Sequence, residues 1–252
     1  MRVLLPLKEF AAAKQRLAGV LSPTERARLF QAMVEDVLFA ISGHPDVDDV
    51  VICSSDPAAA WLACYYEVNY LPEIHNGQGL NGAVEAAVRQ FAAEGLDDVL
   101  IVHGDLPLLG GTDIATLLAA HRAQPGAAVT IAPDRRRLGT NLMAWRRLDG
   151  FAAHYGQDSF QRHCQQARRA GAAVTVCELP GGGCDIDEPE DLLLLLRRPP
   201  QALARFTMSY LQDSGVAARL LAMWRGAGNE TAAERYGVTH RYGAGEHYGK
   251  DR

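Results

Sequence analysis

Five short apolar runs punctuate the chain, at residues 2–7 (RVLLPL), 48–55 (DDVVICSS), 97–105 (DDVLIVHGD), 127–133 (AAVTIAP) and 172–180 (AAVTVCELP). Most are apolar at consecutive rather than alternate positions, the pattern of a strand buried on both faces. Between them the apolar spacing lengthens to three and four. SPTERARLFQAMVEDVLFAI predicts a helix with Ser22 as N-cap, Pro23 at its first position and Glu25 completing a capping box. GLNGAVEAAVRQFAAEG, GTDIATLLAAHRAQ and DSFQRHCQQARRAG predict three more, each stopped by Gly or Pro. Alternating strands and helices predict an α/β fold with three layers, a mostly parallel sheet flanked by helices. After RRPP (197–200) the pattern changes to a helical segment and then YGVTHRYGAGEHYGKDR, rich in Gly, Tyr and charge. The division expected is a main domain over 1–198 and, over 199–252, a helical extension ending in a mobile tail. The extension is expected to pack on the domain or on a partner chain, as in a homodimer.

Composition removes several classes. A hydrophobic fraction of 48%, a charged fraction of 22% and a net charge of -5 fit a soluble protein without a general nucleic-acid surface. The five cysteines (Cys53, Cys64, Cys164, Cys177, Cys184) are scattered and form no CxxC pair, so neither a disulfide framework nor a zinc site is expected. MRVLLPLKEF is too short an apolar run for a signal peptide, and no segment has the length of a membrane span. The expected setting is a reducing cytoplasm.

Two acidic stretches carry the candidate chemistry. VLIVHGDLPLL (99–109) ends a buried strand on Asp105, at the carboxyl edge where open α/β sheets bind ligands. By itself it reads equally as a turn-forming Asp before Pro107. GGGCDIDEPEDLLLLL (181–196) crowds five acids ahead of five leucines. Asp105 and Asp185 together offer the one or two carboxylates that Mg²⁺ needs beside phosphate oxygens. Asp187 is a second choice, expected to face the other way or to serve as N-cap, with Glu190 and Asp191 in the first turn of a helix. Lys8, Lys14 and Arg16 follow the first strand and suit a triphosphate, although each also reads as part of a solvated basic face. Leu5 and Lys8 are assigned to the nucleotide, and Gln78, Gly79 and Asn81, at the start of a helix, to its base or ribose. Neither GxGxxG nor GxxxxGK[ST] occurs, and no Ser or Cys dyad is visible. His103, inside a strand, reads as a satisfied core residue.

Seven stretches in order, LLPLKEFAAAKQRL, LSPTERARL, GLNGAV, HGDLPLL, LGTN, YGQDSFQRH and CDIDEPEDL, resemble the guanylyltransferases of coenzyme F420 biosynthesis. Those are nucleotidyltransferases of the glycosyltransferase-A-like fold. The resemblance covers roughly residues 1–198 and implies transfer of GMP from GTP to 2-phospho-L-lactate, phosphoenolpyruvate or 3-phospho-D-glycerate, with release of pyrophosphate and with the next enzyme of the F420 pathway as product acceptor. It implies Mg²⁺ on Asp105 and Asp185, and the phosphorylated acid on Thr140, Gly156 and Ser159. Ser159 is expected to open a helix whose free N–H groups suit an anion, and Thr140 to lie with Asn141 in a turn. Arg135, Arg136 and Arg137 depart from the commoner family pattern. Rival readings are a nucleotidyltransferase acting on a sugar phosphate or molybdopterin, a glycosyltransferase using DID as its metal motif, and a non-catalytic nucleotide-binding module.

Overall fold

Within residues 1–73, 79–146, 151–198 and 203–226, which the computed structural model describes, the strands are β1 (Arg2–Pro6), β2 (Asp49–Ser54), β3 (Asn69–Pro72), β4 (Asp98–Val102), β5 (Ala128–Pro133), β6 (Thr140–Arg146) and β7 (Ala173–Val176). They form one sheet in the order β3-β2-β1-β4-β6-β5-β7. All neighbours are parallel except β6, which runs against both β4 and β5. The helices are α1 (Pro23–Ser42), α2 (Pro57–Tyr65), α3 (Gly79–Ala93), α4 (Gly111–Arg122), α5 (Ser159–Arg169), α6 (Pro189–Arg197), α7 (Arg205–Asp213) and α8 (Val216–Gly226).

The consecutive apolar runs are the reason for three layers. Successive side chains of a strand face opposite ways. Val3 and Leu5 therefore enter a core with α1, α2, α4 and α6, while Leu4 enters the other, with α3 and α5. Ser22, Pro23 and Glu25 build the expected capping box of α1. Three elements were not expected: β3, β6 and α2. Strand β6 reads TNLMAWR, whose Leu, Met and Ala suit a helix as well as a strand, and Thr140 and Asn141, expected in a turn, open it instead. For α2 the signal was present in Asp56-Pro57, where the Asp56 carboxylate accepts the Ala58 N–H at 2.8 Å.

The C-terminal helices fold back onto α1. Ala204, the N-cap residue of α7, is left-handed and makes no side-chain cap; Asp36 of α1 supplies it, its two oxygens accepting the N–H groups of Phe206 and Thr207 at 2.9 Å each. Asp36→Ala strips two buried donors of their partner and is expected to lower stability by about 2 kcal/mol, read as a fall in the urea midpoint. A midpoint equal to wild type would refute the cap. Arg219 of α8 adds a forked pair to Glu25, at 2.7 and 3.0 Å. Among the described residues no helix is long and apolar enough to cross a membrane, and the five cysteines are free thiols. The segment expected to be mobile lies outside the described residues, as does Gln78.

Candidate active site

A cleft of about 800 Å³ opens at the carboxyl edge of β1 and β4, the point where the chain turns from one half of the sheet to the other. Because β6 is antiparallel, its first residues arrive at this same edge: His103 donates its N–H to Asn141 O at 3.1 Å. The strand that escaped prediction is thus what delivers Thr140 and Asn141 to the site. Among the cleft's lining residues are five cationic ones (Lys8, Lys14, Arg16, Arg135, Arg136) and seven acidic ones (Asp105, Asp134, Asp158, Asp185, Asp187, Glu188, Asp191). The surplus of carboxylates would repel a triphosphate unless a further cation came with it.

At the centre the Lys14 ammonium lies 2.5 Å from Asp105 Oδ2 and 2.7 Å from Asp187 Oδ1. Lys14 is left-handed (φ 54°), a conformation that costs a non-glycine residue about 1 kcal/mol and aims its side chain inward. Burial alone would favour its neutral form, but the two aspartates outweigh that and hold the ammonium above the ordinary lysine range. Burial likewise opposes ionisation of Asp105, and Lys14 overcomes it, so the carboxyl stays below its usual range. Asp105 Oδ1 is buried without a hydrogen-bond partner among the described residues. Asp185 is pushed up to about 6, first by burial and then by the charges of Asp105 and Asp187; Asn141 Nδ2 donates to its Oδ1 at 3.3 Å.

The expectation that Asp187 faces away from Asp185 or caps the helix is corrected. Positions two apart in an extended segment share a face, so Asp185 and Asp187 both line the cleft while Ile186 is buried between them. Ile186 also donates its N–H to Asp105 O at 3.2 Å, clamping the two acidic loops together. The N-cap position of α6 belongs to Glu188, not Asp187, and Asp191 in the first turn accepts the N–H groups of both, at 2.9 and 2.8 Å. Arg16 is largely exposed, 3.6 Å from Glu188 and 3.9 Å from Asp187.

The wall of the same cleft also holds Thr140, Gly156 and Ser159, the three residues that the resemblance groups. Gly156 has φ +123°, which residues with a β-carbon rarely adopt. Ser159 is the first residue of α5, but Asp158 stands at the N-cap. The free-donor expectation is reduced, since the N–H groups of Ser159 and Phe160 already serve Gly156 O and Leu138 O at 3.2 and 3.1 Å. Behind the wall His163, fully buried, reaches Thr140 Oγ1 through Nδ1 at 3.0 Å and the His154 N–H through Nε2 at 2.8 Å.

Other assignments fall differently. Leu5 is fully buried in the core, so its side chain makes no part of the cleft, whereas the exposed Lys8 does line it. Asn81 joins its amide to both backbone groups of Tyr155, at 2.7 and 3.2 Å, a brace between α3 and the cleft wall. Gly79 is exposed at the start of α3. The arginines that depart from the family pattern are paired, Arg135 with Asp191, Arg136 with Glu188 and Arg137 with Glu178. His103 is half-buried and not satisfied: its buried Nε2 has no partner among the described residues, and its ring lies 4.8 Å from that of Tyr155, on the cleft wall. Asp134, overlooked in the sequence, ties down the N–H groups of Leu138 and Gly139 at 2.9 and 3.0 Å, an Asp-turn legible in DRRRLG.

Residues 1–217 match the family model described as "Guanylyl transferase CofC like". A phosphoenolpyruvate guanylyltransferase of Roseiflexus castenholzii is 40% identical over 215 residues, 84% of this chain and 96% of its own length. A 2-phospho-L-lactate guanylyltransferase of Methanothermobacter thermautotrophicus is 35% identical, covering 75% of this chain and 81% of its own. Among solved structures, a chain from Desulfovibrio desulfuricans G20 described as a nucleotide-diphospho-sugar transferase superposes with a TM-score of 0.68 at 19% identity, over 87% of this chain and 97% of that one. A cytidylyltransferase of Leptospira borgpetersenii gives 0.56 at 9% identity, over 86% and 96%. The cleft at the strand ends, the family match over most of the length and these likenesses agree: the chain is a nucleotidyltransferase and belongs to the CofC-like guanylyl transferase family.

Proposed function

We propose that the chain transfers the GMP unit of GTP to a small phosphorylated acid and releases pyrophosphate, as a cytoplasmic step of coenzyme F420 biosynthesis. The acid is phosphoenolpyruvate, 2-phospho-L-lactate or 3-phospho-D-glycerate. The observation that carries the reading is the cleft itself, which brings Lys14, held between Asp105 and Asp187, into one lining with Thr140, Gly156 and Ser159.

A phosphate oxygen of the acid attacks the α-phosphorus of GTP. The new P–O bond forms as the bond from that phosphorus to the pyrophosphate oxygen breaks. A phosphate monoester is already largely ionised near neutral pH, its second pKa being about 6, so no general base is required. That accounts for a site built from charges rather than a Ser or Cys dyad. Lys8 and Arg16, which line the cleft, would neutralise the departing pyrophosphate, and Lys14, held protonated by its aspartates, would offset charge at the centre. The acid-side wall aligns the nucleophile by holding its phosphate or carboxylate.

The carboxylate surplus, the partnerless Asp105 Oδ1 and the all-oxygen donor set fit a hard cation. Among the described residues no three ligating side chains converge into a ready cage, which suits Mg²⁺, an ion that keeps waters and takes substrate oxygens. Asp105 and Asp185, with Asp187 as second choice, would hold it, and its charge would polarise the phosphates of the bound nucleotide. The test is pyrophosphate release from GTP with each acid in turn, product masses being read directly. Release that requires one of the three acids is expected. Release with a sugar phosphate and none of the acids would overturn the assignment.

A further inference from the structure

We propose that His163 is a positioning residue: it fixes the Thr140 hydroxyl as a hydrogen-bond donor into the cleft, so that this wall accepts an anionic group of the acid substrate. The inference rests on the function just proposed, and it begins with a proton count. The His154 backbone N–H can only donate, and it lies 2.8 Å from His163 Nε2, so Nε2 is the bare nitrogen. Burial pushes the basicity of the ring down to about 3, with His154 and His103 adding to the effect. The ring is neutral at working pH and its one proton sits on Nδ1.

That proton faces Thr140 Oγ1 at 3.0 Å. The hydroxyl therefore accepts from His163 and must turn its own proton elsewhere. Among the described residues Thr140 Oγ1 has no other hydrogen-bond partner, and Thr140 lines the cleft beside Gly156 and Ser159. His163 does not reach the cleft itself. Its ring is held at 5.0 Å from Tyr155 and 6.0 Å from Phe151, with no exposed surface, so the order of donors cannot be reversed by a ring flip without losing the His154 bond. The relay from His154 through His163 to Thr140 ends in a hydroxyl that offers a proton outward, each bond polarising the next. A group that only accepts, such as phosphate or carboxylate, satisfies it; an ammonium or amide N–H does not.

The experiment compares His163→Phe, His163→Asn, Thr140→Val and the double variant His163→Phe/Thr140→Val in steady-state assays with GTP and phosphoenolpyruvate. Thermal unfolding with and without inorganic phosphate runs in parallel. A hydrogen bond to a charged group is worth about tenfold or more in binding. His163→Phe is expected to raise KM for the acid about tenfold with KM for GTP within about twofold. His163→Asn, whose side-chain N–H replaces Nδ1–H, is expected to recover most of it. Thr140→Val and the double variant should share one KM, because the histidine acts only through the threonine. Equal increases in both KM values, additive effects in the double variant, or no recovery with Asn would overturn the proposal. If wild type turns over no phosphorylated acid, the function fails separately. The positioning role then stands only if phosphate raises the wild-type Tm and both single variants, His163→Phe and Thr140→Val, lose that rise.

Discussion

Asp105→Asn is expected to lower kcat/KM for GTP by about 10²- to 10³-fold or more while the far-UV circular dichroism stays that of wild type. The substitution keeps the shape and removes the charge. Lys14 retains Asp187 at 2.7 Å, so the ammonium is not orphaned and the loop has little reason to move. What is lost is the buried oxygen Oδ1, which no group among the described residues satisfies, together with half the charge that keeps Lys14 protonated. A charge that is largely withdrawn from solvent, as Asp105 is, is screened less than a surface ion pair, so its loss has the larger effect. Activity within about tenfold of wild type would remove Asp105 from the centre of the mechanism.

The second large effect comes from a residue with no side chain. A β-carbon at Gly181 would stand 1.9 Å from Leu108 O, 2.4 Å from Asp113 Oδ2 and 2.7 Å from Leu108 C. Two of these are backbone atoms in the loop that follows Asp105, so the clash is not relieved by turning a side chain. Asp113, buried at the start of α4, accepts the Gly110 N–H at 3.2 Å and lies directly against Gly181, and this packs the loop bearing Asp185 on the loop bearing Asp105. Gly181→Ala must pry them apart. The expected cost is about 3 kcal/mol in urea unfolding, at the upper end for overpacking. Turnover should fall even at temperatures where the variant remains folded, since Asp185 and Asp187 move with the loop. Wild-type stability together with wild-type turnover would show that the loop has slack the structure does not suggest.

Local chemistry was legible in the chain, and long-range partnership was not. Ser22, Pro23 and Glu25 announce α1 because a cap is settled within four residues. The strand ends and Asp105 were readable for the same reason. Strand β6 was hidden because its composition suits either structure and only insertion between β4 and β5 decides. The face taken by Asp187 was misjudged even though period-two geometry already placed it beside Asp185. Arg135, Arg136 and Arg137 gave no sign of partners 41 to 56 residues away. Asn81 looked like a base reader, and only the folded chain shows its amide already spent on Tyr155.

The reversed strand has one more consequence. Asp134, Thr140, Asn141, Tyr155, Gly156, Ser159 and His163 all fall between β5 and β7, whereas Lys8, Lys14, Asp105, Asp185 and Asp187 come from the ends of β1 and β4 and the loop before α6. The part of the cleft proposed to hold the acid is therefore a cassette. Under that proposal, exchanging residues 128–176 for those of a relative is expected to change the preferred acid and leave KM for GTP unchanged.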